Sequence, residues 1–391
     1  MQLSDRIRGL KGGGDAWAVF FKARRMVAAG ESVVELTIGE PDNRTIPAIL
    51  DAMHSSAKAG HTGYADIPGI PALRQAVAER VTARSGVPTG PENVHITPGG
   101  QAALLAAHAA VLDPGETGLF IDPFYATYPG TISAVGGRPQ AIATRPEEGF
   151  LPRAEDIVAA AAATGAKSLL INSPNNPTGA VYPRATLEAI AGAVTESGLW
   201  LISDEVYDTQ IWEGTHLTPR ALPDMAARSL VVGSFSKSHA MTGSRVGWLV
   251  GPEEAIEAIT NLSTHTTFGV PGYIQEAALF ALGQGTALEE EIAAPFRRRR
   301  DLAMRLLEGQ NHLRHVPAQG AMYLMLDIRA TGLSGQNFAG QLLDAEKIAV
   351  MPGESFGEAA AGHIRVALTV EDAAFEDAIT RLIRFAQGVS A

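Results

Sequence analysis

Between about residue 70 and residue 280 the chain alternates two patterns, and this alternation restricts the fold more than any other feature. One pattern is helix-like: PALRQAVAERVTARSG, QAALLAAHAAVLD, AEDIVAAAAATGA and ATLEAIAGAVTESG are long and rich in Ala, Leu, Arg and Glu. The other is a short apolar run that ends in small or polar residues: VHITPGG, GLFIDP, SLLINSP, LWLISDE, SLVVGSFS and RVGWLVG. Short β-rich runs between helical segments of this length predict βα units and a mostly parallel sheet, an α/β fold. Right-handed crossovers would bury that sheet between helix layers. Ligands of such sheets bind at the carboxyl ends of the strands, which is where Asn176, Asp204 and Lys237 fall.

After about residue 290 the character changes. FRRRRDLAMRLLEG reads as a charged amphipathic helix, AMYLMLDI and HIRVALTV as strands, and EDAAFEDAITRLIRFAQG as a closing helix. A chain of 391 residues is long enough for a second domain. The expected division is a large domain over 46–285, a smaller α+β domain over 286–391, and a segment 1–45 that packs on the small one. The RRRR run reads as a solvated or inter-domain helix face.

Several classes of function are disfavoured. A net charge of −11 argues against non-specific binding to nucleic acid or anionic membrane. The absence of cysteine removes disulfides, thiolate nucleophiles and cysteine metal sites. No run of 18 apolar residues occurs and the N-terminus lacks a signal-peptide core, so a soluble cytoplasmic protein is expected. GQGTAL at 283–288 lacks the third glycine of a dinucleotide turn, and neither a Walker motif nor H-E-x-x-H is present. The ten histidines show no metal-ligand spacing, and His239 reads as a structural neighbour of Lys237.

The remaining polar motifs sit at strand ends. VHITPGGQAALLAAH is a strand, a glycine turn and a helix, so Gly99 and Gly100 allow an anion close to free helix N–H groups. Many strand–helix turns carry glycine, and the motif alone is weak. NSPNNPTG implies a rigid turn, and Asn176 stands in it where a ligand would lie. Asp204 ends an apolar strand, where a carboxylate wants a cation or a protonated nitrogen; a helix cap or ion pair is the plain alternative. In SFSKSHAMTGSRVG, Lys237 has no charged neighbour before Arg245, eight positions on. Ser234 and Arg245 could reach the same anion through a hydroxyl and a guanidinium fork. Taken together these residues suit a phosphate, a protonatable ring nitrogen, a phenolic oxygen and an aldehyde that lysine captures. Pyridoxal 5′-phosphate carries all four.

On these motifs the sequence resembles the class I/II pyridoxal-phosphate aminotransferases, the fold type I group that includes aspartate aminotransferase. The resemblance runs from TIGEPD (37–42) through GYADIPGIPALRQAV (63–77), TPGGQAAL, DPFYATYPG (122–130), NSPNNPTGAVYP (172–183) and SDEVY to SFSKSHAMTGSRVG and HIRVAL (363–368). It implies that Lys237 binds the cofactor's aldehyde carbon and moves the substrate's α-proton. Asp204 matches the aspartate that keeps the pyridine nitrogen protonated, and Tyr207 and Asn176 match the donors to the phenolic oxygen. Tyr125 matches the ring stacked on the cofactor. Gly99, Gly100, Gln101, Ser234, Ser236 and Arg245 match the phosphate cup, and Tyr64 matches a tyrosine that reaches the phosphate from the other subunit of a homodimer. Arg365 matches the arginine that clamps the substrate α-carboxylate, beside Gly39, whose backbone touches the substrate.

The resemblance therefore implies a ping-pong transfer of an amino group from an α-amino acid to a 2-oxo acid. Three other readings stay open on the residues alone: a β-lyase on the same scaffold, an aminotransferase-like effector module without catalysis, and an α/β binding protein that uses no cofactor. One segment departs from the family pattern. Many relatives have a Ser/Thr-rich stretch near residues 12–17, where this chain has GGGDAW, so the amino acid it accepts is left open.

Overall fold

The computed structural model describes residues 3–10 and 17–389, and among them the chain forms three sheets. The first strand, β1 (Val34–Glu35), belongs to the smallest. The strands β2 (Val94–Thr97), β3 (Thr117–Asp122), β4 (Arg138–Ala143), β5 (Ser168–Asn172), β6 (Trp200–Asp204), β7 (Ser229–Ser234) and β8 (Gly247–Val250) build the largest. Their order is β2-β8-β7-β6-β5-β3-β4. Neighbours from β7 to β4 are parallel, and β8 is antiparallel to both β7 and β2. The segment between β7 and β8 holds only the short helix Phe235–Ser238, so the chain turns back instead of crossing over the sheet.

Helices cover both faces, and this is why the central strands read as unbroken apolar runs. Along β7, Leu230 and Val232 pack on the helices Gly100–Val111 and Glu253–Thr264, while Val231 faces the opposite layer with Leu73 and Val77. Along β5, Leu170 joins the first layer and Leu169 and Ile171 the second. Strand β4 was not among the expected runs. It lies at the sheet edge with most residues exposed and contains Pro139, so neither burial nor alternation marks it.

The C-terminal part builds a second, antiparallel sheet. β9 (Arg314–His315) pairs with β10 (Tyr323–Asp327); β11 (Ile348–Ala349) leaves to pair with β1; β12 (Met351–Pro352) and β13 (His363–Ala367) complete the order β12-β13-β10-β9. Phe296, Phe338 and Phe375 from three helices fill the core against Leu324 and Ile364. Val19, Ala23 and Leu36 from the N-terminal part share this core.

The arginine run lies on the helix Gly285–Leu307, expected to present a solvated or inter-domain face, and one member is buried between segments. Arg299 is 4% exposed, and its guanidinium binds Asp42, Asp372 and the Leu368 carbonyl. It ties the TIGEPD segment to the start of the last helix. Its neighbours Arg298 and Arg300 pair with Asp372 and Glu213.

Candidate active site

A cavity of about 310 Å³ opens at the carboxyl ends of the parallel strands, where the alternation placed it. Three neighbouring strands deliver polar groups to it. β5 ends in Asn172 and leads to Asn176; β6 ends in Asp204 and leads to Tyr207; β7 ends in Ser234 and leads to Ser236 and Lys237. Behind β2, Gly99 takes a φ of +80° and starts the helix Gly100–Val111, whose first N–H groups have no helical acceptor. A Cβ on Gly99 would stand 2.5 Å from the Arg245 guanidinium, so glycine lets that side chain lie across the turn. Arg245 itself sits at φ +50°, a left-handed conformation that non-glycine residues keep only where the surroundings impose it.

The opposite wall comes from the N-terminal segment and the small sheet. Arg365, at the middle of β13, is 3% exposed and stacks between the rings of Tyr323 (4.4 Å) and Phe356 (4.3 Å). One terminal nitrogen donates to Asn176 Oδ1 at 2.8 Å and the other to the Thr37 carbonyl. Its Nε, also buried, has no hydrogen-bond partner among the described residues. Lys237 Nζ donates to the Gly39 carbonyl. A Cβ on Gly39 would coincide with the Tyr323 hydroxyl, so this close approach requires glycine.

Burial sets the electrostatics. It pushes the Lys237 amine down to about 8; Glu40 opposes the shift, and Arg245 and Arg365 add to it. Burial pushes the Asp204 carboxyl up to about 6, against hydrogen bonds from Tyr128 and the Val206 N–H. Burial likewise raises Tyr125, and raises Tyr207 well above the ordinary phenol range. Tyr207 shares a 3.0 Å hydrogen bond with Tyr323, and the Tyr125 ring meets that of Tyr128 edge-on.

A sequence model described as aminotransferase class I and II matches residues 31–382. The chain belongs to that family.

Arginine–pyruvate transaminase of Pseudomonas aeruginosa is 41% identical over 383 residues, covering 98% of this chain and 97% of that protein. Aspartate/prephenate aminotransferase of Thermus thermophilus is 37% identical over 388 residues, covering 98% of each. The structure of Thermus thermophilus aspartate aminotransferase with maleate superposes with a TM-score of 0.92 at 36% identity, covering 98% of this chain and all of that one. The protein is thus a pyridoxal-phosphate-dependent aminotransferase with the fold type I architecture. It transfers amino groups between amino acids and keto acids.

The residues present fit that cofactor. A buried amine titrating near neutrality, a buried carboxyl facing the cavity, and a glycine-started helix beside a guanidinium meet its aldehyde, ring nitrogen and phosphate in chemical type. Of the expected site residues, the cavity is lined by Gly39, Gly100, Gln101, Tyr125, Asn176, Asp204, Tyr207, Ser234, Ser236, Lys237, Arg245 and Arg365. Gly99 stands one step behind the lining. The Gln101 side chain is engaged with Thr127 and Thr131, and its backbone N–H lies in the first turn of the helix, without a helical acceptor. Tyr64 is not in the cavity of its own chain: it is 92% exposed and packs edge-on against Phe268, with ring centres 5.1 Å apart. His239 is buried against Phe235, its ring bonded to Ser238. Of GGGDAW, residues 12–16 lie outside the described part of the chain, and Trp17 lines the cavity.

Sequence reasoning passed over Tyr128, Tyr323 and Phe356. Tyr323 lies in the strand-like AMYLMLDI, where a buried aromatic is ordinary. Tyr128 is the second tyrosine of DPFYATYPG, and its hydroxyl donates to Asp204.

Proposed function

We propose that this cavity is the transamination site, with Lys237 as the residue that carries the cofactor and shuttles the proton. The observation that supports this most is the pairing of a buried lysine, titrating at about 8, with a buried carboxyl and a buried arginine in one cavity. An amine with that pKa is partly neutral near pH 7.5, so Nζ can accept a proton and return it. The cofactor, when bound, supplies an aldehyde for the amino group and a ring that accepts the electron pair released at Cα.

Every other task falls to the chain. Asp204 holds a proton on the ring nitrogen; Asn176 and Tyr207 donate to the phenolic oxygen; Tyr125 stacks on the ring. The N–H groups at Gly100 and Gln101, the hydroxyls of Ser234 and Ser236, and the Arg245 fork bind the phosphate, with Gly99 shaping the turn. Arg365 takes the α-carboxylate. Its terminal nitrogens are fixed by Asn176 and Thr37, its ring stacking holds the plane, and the unpartnered Nε gives it capacity for a further acceptor. Gly39 brings its carbonyl to the substrate. The side chain of the amino acid would meet Trp17, Ile38 and Glu40, which line the same cavity.

The reading includes a cytoplasmic homodimer in which Tyr64 of each subunit serves the other's phosphate. The exposure of its ring, next to a half-exposed Phe268, supports a surface that a second copy covers. The reading also divides the chain into a large domain over 46–285 and a small one over 286–391 joined by residues 1–45, in line with the separate cores of the two sheets. Borohydride reduction of the loaded protein, followed by peptide mapping, should place the cofactor on Lys237. Attachment at any other lysine overturns the assignment. Screening the natural amino acids for loss of the cofactor's visible absorbance then names the donor.

A further inference from the structure

Tyr128 Oη donates to Asp204 Oδ2 at 2.7 Å where both residues are buried: Tyr128 is 2% exposed and Asp204 4%. The other carboxyl oxygen accepts the Val206 N–H at 3.3 Å, and Asn172 Nδ2 holds the Asp204 carbonyl at 2.9 Å. Among the described residues no other side chain hydrogen-bonds to this carboxyl. Tyr207 lies close enough to feel its charge, but its hydroxyl shares a hydrogen bond with that of Tyr323. Tyr125 feels it too. Glu205, next in the chain, pushes toward the neutral acid, while Lys237, Arg245 and Arg365 line the same cavity without pairing with it.

The geometry points to Tyr128 as the positioning residue that keeps Asp204 ionised and aims it at the ring nitrogen of the cofactor. The inference rests on the reading of Asp204 given above. The physical reason is an opposition of two effects. Burial favours the neutral acid and brings Asp204 up to about 6, and the phenol is a donor that opposes it. Burial beside that carboxyl raises Tyr128 well above the ordinary phenol range, so it stays protonated and does not compete for the proton. A hydrogen bond to a charged acceptor at a buried position is among the stronger ones. Without it Asp204 becomes more basic, and the proton shared with the ring nitrogen moves toward the carboxyl.

The test is the affinity of cofactor-free protein for pyridoxal phosphate as a function of pH, in parent and Tyr128→Phe. Ionisations of the cofactor itself are common to both and cancel in the comparison. Parent affinity should fall as pH drops through about 6, because protonated Asp204 must give up its proton. In Tyr128→Phe the fall should begin at higher pH, leaving affinity near neutrality roughly tenfold weaker, the effect of one hydrogen bond to a charged group. With ¹⁵N-labelled cofactor the ring-nitrogen signal of the variant should move toward neutral pyridine. Should Tyr128→Phe fail to fold, site-specific 3-fluorotyrosine at position 128 keeps the shape with a more acidic hydroxyl and should displace both readouts the opposite way. Uniform weakening with an unchanged pH profile and unchanged nitrogen signal would show a merely structural tyrosine and overturn the inference, as would profiles that superimpose. Asp204→Ala separates the two claims. If it retains the parent transition the Asp204 reading itself fails; if it loses the transition while Tyr128→Phe matches the parent, only the present inference does.

Discussion

At the scale of single residues, the candidate site depends on groups removed from water. Arg365 is held as a plane by two rings and by donors to Asn176 and Thr37, so a carboxylate meets a rigid fork with little left to order. Arg365→Lys keeps the charge but loses the fork and leaves the Asn176 oxygen unpaired. Breaking such a desolvated pair costs about 2–5 kcal/mol. Steady-state kinetics should therefore show kcat/KM for the best amino acid lowered by at least about thirtyfold; an unchanged value would remove Arg365 from the site. Lys237 gives a pH prediction whose sign follows from its environment. Burial lowers its pKa to about 8, so the neutral amine accumulates as pH rises through that value. Uptake of pyridoxal phosphate by cofactor-free protein should accelerate up to about pH 8 and then level off. A solvated lysine would keep accelerating to about pH 10, and that result would contradict the burial account.

At the scale of elements, an ion-pair ring holds the loop that follows β6. Arg80 and Arg84, one turn apart on the helix Pro71–Ser85, both bind Asp208 and both bind Glu289 of the helix Gly285–Leu307. Asp208 directly follows Tyr207, so the ring fixes one edge of the cavity. Arg80 is the more buried arginine and also lies over the Trp248 ring at 5.4 Å. Arg80→Ala would leave two buried carboxylates facing one arginine, a loss of about 3–5 kcal/mol in urea unfolding. Arg84→Ala, on the more exposed side, should lose less; equal losses would refute this ranking. Burial raises the Asp208 carboxyl, but Arg80 and Arg84 outweigh it and hold the group far below the ordinary carboxylate range. A depressed pKa contributes stability above the unfolded value of about 4, and the contribution fades as pH falls toward the folded value. The parent should therefore resist acid unfolding better than Arg80→Ala.

At the scale of the whole molecule, one chain encloses most of the candidate site but leaves Tyr64 outside. If a second copy completes it, sedimentation should show a dimer. Mixing Tyr64→Phe chains with Lys237→Ala chains should then give hybrid dimers with one site carrying both changes and one site carrying neither. Activity should rise above that of either pure variant as the chains exchange. A fully active monomer would end the composite-site reading.

The sequence by itself determined the sheet, because strands buried on both faces must be apolar and must alternate with covering helices. It also marked Lys237, Asp204 and Asn176, because polar residues at the ends of such strands have few structural reasons to be there. What it did not reveal was decided by burial and by distance along the chain. β4 escaped notice because an edge strand carries no burial pattern, and the reversal of β8 followed from a short connection rather than from its composition. Tyr128 lies 76 residues from Asp204 and Tyr323 lies 116 from Tyr207, so no local spacing announces either contact. The titration of Lys237 was decided in the same way. Its pKa is lowered chiefly by burial, with Arg245, eight residues away, and Arg365, from the C-terminal sheet, adding to the shift.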